Sequence, residues 1–140
     1  MLIALSGCDV PTPEERRQQA ERALDARVVI PAERKQYEQA QFAAAQIAGR
    51  CKSLSYSRRY AEKADQEIAA KYPVELDEDG TSPDSVTLKE YLENTVAEGR
   101  EYWKKIGLPQ GDNNSEEVYC AVGQREIANG TQLGAFLRRK

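Results

Sequence analysis

AERKQYEQAQFAAAQIAGRCKSLSYSRRYAEKADQEIAAKY, residues 32–72, dominates the chain. Ala, Glu, Gln, Lys and Arg, all good helix formers, make up most of it. Tyr37, Ala40, Ala44, Ile47, Cys51, Leu54, Ala61, Ile68 and Tyr72 fall on alternating steps of three and four, the seam of a helix that packs others. The pattern predicts one helix over 32–72, about 60 Å long, with Gly49 as the place for any kink. Arg58 and Asp65 occupy the two remaining seam positions. Either they form a polar notch that sets register, or the seam rotates through Ala64 and both side chains reach water.

Working outward, Pro31 and Pro73 bound this helix. Ahead of it, acidic residues open a helix expected over 14–29, with Ala20, Ala23, Leu24 and Val28 on a weak stripe. Behind it, residues 74–83 are acidic and rich in Gly, Ser and Pro, a loop. Thr87 and Glu90, spaced as a capping box, open a third helix that runs to Ile106 and stops at Gly107 and Pro109. Its apolar face is Leu88, Tyr91, Leu92, Val96, Gly99, Tyr102, Trp103 and Ile106. Ser115 starts a fourth helix ending at Asn129 and Gly130, and Leu133, Phe136 and Leu137 suggest a last short turn before the basic tail Arg138, Arg139 and Lys140. The expected fold is all-α: a helical hairpin continuing through the long helix into a three-helix bundle. Helix one then covers residues 33–49. Helix three folds back from Tyr72 to the level of residue 52, and helix four turns there and brings Cys120 beside Cys51.

With 140 residues there is room for one domain. Twenty cations against twenty-three acids give a net charge of −3, which argues against nucleic acid as the main partner. The chain has no histidine, and this removes His-dependent triads and imidazole zinc sites. The stretch Glu75, Leu76, Asp77, Glu78, Asp79 and Gly80 begins as a calcium loop does, but its twelfth position is Val86 instead of a bidentate Glu, so it reads as a solvated acidic turn. Phosphate loops and Ser-x-x-Lys pairs are absent from the sequence, and the expectation is a binding protein with no catalytic residues, no cofactor and no metal.

At the start of the chain, five apolar residues lead to Leu5, Ser6, Gly7 and Cys8. This four-residue box resembles the lipobox of bacterial lipoproteins. The resemblance implies that residues 1–7 are the remnant of a signal peptide and that Cys8 carries a diacylglycerol and an amide-linked acyl chain such as palmitate. Residues 8–13, with Pro11 and Pro13, then form a short tether, and 14–140 the single helical domain. Asp9 resembles an inner-membrane retention signal, which favours the inner over the outer membrane of the bacterial periplasm.

Export also changes the cysteine arithmetic. With Cys8 acylated, Cys51 and Cys120 are left in an oxidising compartment, where a disulfide between them is expected. Two separate buried thiols, or one reactive thiol, are the alternatives. Tyr56, Arg58, Arg59 and Tyr60, with Lys52, form a basic, aromatic patch suited to gripping a partner. The plainer reading packs one tyrosine on helix three and pairs the arginines with Glu62, Glu98 or Glu101. Trp103 and Tyr102 read as core. Two functions are thus expected: an anchored interaction or envelope-assembly module, or alternatively an immunity protein that inhibits an incoming toxin or wall-degrading enzyme.

Overall fold

The computed structural model describes residues 10–111 and 115–140. Helix predominates, joined by two small antiparallel sheets. Helix α1 (Pro13–Leu24) opens on a complete capping box: Thr12 Oγ1 accepts the Glu15 N–H at 3.2 Å, and the Glu15 carboxylate accepts the Thr12 N–H. It ends five residues before the expected boundary. Val28 and Val29 are β-branched and Ile30 precedes a proline, and all three conditions favour extended backbone. Strand β1 (Arg27–Val29) forms there, with Val28 buried.

Helix α2 (Ala32–Arg50) buries Tyr37, Ala40, Ala43, Ala44 and Ile47. The long helix expected over 32–72 does not exist as one piece. Gly49 stays helical, and the chain leaves the helix at Cys51, whose backbone is extended (φ −107°, ψ 111°). Strand β2 (Leu54–Tyr56) follows, and Ser57 then caps helix α3 (Arg58–Lys71), its hydroxyl accepting the Tyr60 N–H at 3.2 Å. Residues 53–57 alternate serine with Leu54 and Tyr56, the period of a strand, and serine is a weak helix former.

Strands β3 (Glu75–Leu76), inside the segment expected to be loop, and β4 (Val86–Thr87), just beyond it, flank β1, pairing Val28 with Leu76 and with Val86. Helix α4 (Leu88–Ile106) starts and stops as expected, capped by Thr87 on the Glu90 N–H and closed by Gly107 at φ 86°. Helix α5 (Glu116–Ala128), the short α6 (Gln132–Ala135) and strand β5 (Leu137–Arg139) complete the chain. Strand β5 pairs with β2 in the register Leu54–Arg139, Ser55–Arg138, Tyr56–Leu137.

The core lies between α2, α5, α6 and the β2–β5 ribbon, where Ile47, Leu54, Leu133, Phe136 and Leu137 are buried. Helix α5 comes close because it presents glycine: a methyl at Gly123 would stand 2.4 Å from Leu54 Cδ1 and 2.9 Å from Ile47 Cγ2. The Cys51–Cys120 disulfide joins the end of α2 to α5, with Cα atoms 5.1 Å apart. Helix α1 packs against α4 and not along residues 33–49 as expected, and it buries none of its residues. No helix among the described residues is long and apolar enough to cross a membrane.

Candidate functional site

Phe136, fully buried, is the hub of the first candidate surface. The rings of Tyr37, Tyr56 and Tyr60 surround it, with centroids at 5.5, 5.9 and 5.1 Å; Tyr56 lies parallel and Tyr60 meets it edge-on. Such contacts contribute about 0.5–1.5 kcal/mol each beyond burial. The phenols are fixed by polar bonds. Gln41 Nε2 donates to Tyr56 Oη at 3.0 Å and to Asp65 Oδ1 at 3.1 Å, and Tyr37 donates its hydroxyl proton to the same carboxylate. Burial, and then Asp65, hold the Tyr37 phenol well above the ordinary range. Of the two polar seam residues, Asp65 is thus engaged by α2 while keeping one side in water, Arg58 is exposed, and Ala64 is buried between them.

Tyr56 and Tyr60 therefore pack on the C-terminal segment and not on the helix over 88–106. Arg58 and Arg59 are exposed and make no ion pair among the described residues, so the expected pairing with Glu62, Glu98 or Glu101 does not occur. The ribbon adds what the linear sequence keeps far away. Strand β5 sets Arg138, Arg139 and Lys140 beside residues 53–56, and the Lys140 N–H donates to the Ser53 carbonyl at 3.0 Å. The Arg138 guanidinium lies 5.7 Å from the Tyr60 ring centroid and donates to the carbonyls of Ala135 and Leu137 at 2.7 and 2.8 Å. Arg139 donates to Gln124 Oε1 at 2.7 Å. The expected patch of Tyr56, Arg58, Arg59 and Tyr60 is in this way joined by Arg138 from the expected tail, with the Lys140 backbone alongside and Arg139 turned toward α5. The Ser-Leu-Ser-Tyr-Ser alternation at 53–57 was the signal that could have found them, because a strand there needs a partner.

A second surface is apolar. Between α2 and α4 lies a groove of about 570 Å³, walled by Phe42, Tyr91, Val96, Gly99, Tyr102 and Trp103. Phe42 and Val96 are each 58% exposed and Leu92 50%. Trp103 stands 6.1 Å from Phe42, half-buried, so it and Tyr102 pack against the core without entering it. At one end Arg34 pairs with Glu38 at 3.2 Å, and Glu38 accepts the Tyr91 hydroxyl proton. Burial and this carboxylate push Tyr91 up to about 12; burial and Glu126 do the same for Tyr102.

A wider recess of about 760 Å³ is walled by Glu98, Glu101, Lys104, Lys105 and Glu126. Glu126 is itself buried, and its carboxylate is taken up by Arg125 at 2.9 Å and Thr131 at 2.6 Å, a tie across the turn between α5 and α6. In the acidic turn Asp77 bends back on its own loop. The hydrogen bond from Ser85, with the backbone N–H of Ser82 at 3.2 Å, holds it below the usual carboxylate range, and Arg27 in turn donates to Ser85. No group of three or more acidic or cysteine side chains among the described residues is gathered to hold a metal. Cys8, the expected lipidation site, lies outside the described residues.

Residues 32–138 match the sequence pattern of a family of unknown function, DUF5333, a span that leaves out α1 and β1. No curated protein and no solved structure matches the chain.

Proposed function

The chain belongs to DUF5333, a family of unknown function, and we propose that it is a lipid-anchored helical lipoprotein of the bacterial periplasm that works by binding another protein. The observation that carries this reading is the cation–aromatic face. In a chain of net charge −3, Arg58, Arg59, Arg138, Arg139 and Lys140 come from two distant stretches to one ribbon and one helix start. Arg138 lies over Tyr60, whose ring, like that of Tyr56, is already seated on Phe136. Tyr and Arg dominate binding energy at protein interfaces, and side chains fixed before binding lose less entropy when they bind. An acidic protein surface is the complement.

The anchor rests on the box Leu5, Ser6, Gly7 and Cys8, on Pro11 ahead of α1 and on Pro13 at its first position. The disulfide fits an oxidising compartment. Two measurements test the proposal. The intact mass of detergent-extracted protein from bacterial cells is expected to show a chain starting at Cys8 with the acyl increment; a chain retaining residues 1–7 with a free thiol refutes the anchor. A photo-crosslinking side chain at position 55 is expected to capture one acidic protein in cells, and the capture is expected to vanish in the Arg58→Glu, Arg59→Glu double variant. Capture indifferent to that charge reversal refutes the binding face.

A further inference from the structure

Helix α4 carries a second apolar stripe that its own fold leaves open. Tyr91, Thr95 and Tyr102 line the groove against α2, and Val96, Gly99 and Trp103 form its outer wall. Turned one step around the helix, Leu92, Val96, Gly99 and Trp103 follow the 4-3-4 spacing of a coiled-coil seam. No residue of α4 is fully buried, and α1, although beside it, leaves Leu92 and Val96 half exposed or more. Phe42 of α2 extends the open strip at the Trp103 end.

The flanking charges say what covers this strip. On its solvent side the seam is bordered by Glu93 and Arg100, both exposed, of opposite sign and one heptad apart. In an antiparallel pair of identical helices, the residues of this border meet each other across the seam. Glu93 then faces the partner's Arg100, and symmetry makes the pair twice. The same register sets Leu92 on the partner's Trp103 and Val96 over the partner's Gly99. A methyl built on Gly99 would find no atom within 4 Å, so the glycine leaves a hole of the kind a valine knob fills. A parallel pair would set Glu93 against Leu88 and Arg100 against Thr95, with no ion pair.

We propose that α4 is a self-association surface, through which two copies of this chain pair antiparallel along Leu92, Val96, Gly99 and Trp103, held in register by Glu93 and Arg100. This surface is distinct from the cation–aromatic face, and neither proposal depends on the other.

The test is sedimentation equilibrium of the full chain carrying Cys8→Ser, which prevents acylation, from micromolar to millimolar concentration. A monomer–dimer equilibrium is expected. Glu93→Arg turns two attractive pairs into two repulsive ones and is expected to raise the dissociation constant about tenfold. The swap of both charges, Glu93→Arg with Arg100→Glu, is expected to restore it to within about twofold of the starting value. Val96→Glu is expected to leave a monomer with an unchanged circular dichroism spectrum. A chain that stays monomeric throughout overturns the proposal, and in that case a helix of another protein is the occupant. A dimer indifferent to Val96→Glu and Glu93→Arg, or one that the double swap does not restore, overturns it as well.

Discussion

Gly134 offers the sharpest test of how the cation–aromatic face is held. It sits in α6 with an ordinary negative φ, so alanine is conformationally allowed there and only space decides the outcome. A Cβ at this position would stand 2.2 Å from the carbonyl oxygen of Glu126, 2.5 Å from its carbon and 2.8 Å from the nitrogen of Ile127. All three are backbone atoms of α5, and real Cβ atoms do not approach closer than about 3.0 Å. Gly134→Ala therefore forces α5 and α6 apart by the better part of an ångström. The bond from the Thr131 N–H to the Glu126 carbonyl, at 3.2 Å, strains with it, and Phe136 moves two residues further on. Overpacking against an unyielding neighbour costs about 3 kcal/mol. The better helix propensity of alanine returns at most about 1 kcal/mol, leaving a net loss of about 2 kcal/mol. Urea unfolding followed by far-ultraviolet circular dichroism is expected to show the midpoint falling by about 1 M, given a slope near 2 kcal/mol per M for a chain of this size. Gly49→Ala is the control: a methyl there meets nothing within 4 Å in the last turn of α2, and stability is expected to rise by about 0.5–1 kcal/mol. A Gly134→Ala protein as stable as the parent would refute the close approach of α5 and α6.

The disulfide closes a loop spanning a sequence separation of 69, and replacing Cys51 and Cys120 together by alanine is expected to lower stability by about 4 kcal/mol, read from the same urea curves. Phenol titration supplies a further check. Tyr37, Tyr91 and Tyr102 bind their protons more tightly in the folded state than in the unfolded chain, so the stability they contribute is full below about pH 10 and is lost as the pH climbs through 12. Absorbance at alkaline pH is expected to show a late-titrating fraction that shrinks in Tyr91→Phe, and a midpoint of urea unfolding unchanged between pH 10 and 12 would refute the sign.

The boundaries that were legible in the sequence are those punctuated by residues with one structural meaning. Pro31 before α2, Thr87 and Glu90 at the start of α4, Gly107 after it and Gly130 after α5 stand where reading placed them, the two glycines at φ 86° and 61°. The break at Cys51 was hidden because Leu54 satisfies two periods at once. It lies seven residues before Ala61 on a helical seam, and two before Tyr56 on a strand. Propensity over 32–72 favours the helix; what overrides it is tertiary, the ribbon with β5, whose residues lie more than eighty positions away. The open stripe of α4 was illegible for a different reason. Leu92, Val96 and Trp103 have the spacing of a core-facing helix, and periodicity reports that a face is apolar without reporting which chain covers it.

The same geometry explains why the cationic face and the closing strand cannot be separated by truncation. Cys51 is tied to α5 by the disulfide, the Ser57 N–H donates to the Phe136 carbonyl at 2.8 Å, and Leu54 to Tyr56 pair with β5. Removal of residues 137–140 would delete Arg138, Arg139 and Lys140, but it would also strip β2 of its one strand partner among the described residues and uncover Leu54 and Phe136. Side-chain changes keep the two roles apart. Arg138 holds its place in the ribbon through its backbone, while its exposed guanidinium lies over Tyr60 and donates to the carbonyls of Ala135 and Leu137, so Arg138→Ala removes a charge and two side-chain bonds at the surface but leaves the strand. If the face binds an acidic partner, this change weakens the complex while the urea midpoint falls by well under the shift of Gly134→Ala. A midpoint that falls as far as in Gly134→Ala would mean that Arg138 serves the fold and not the partner.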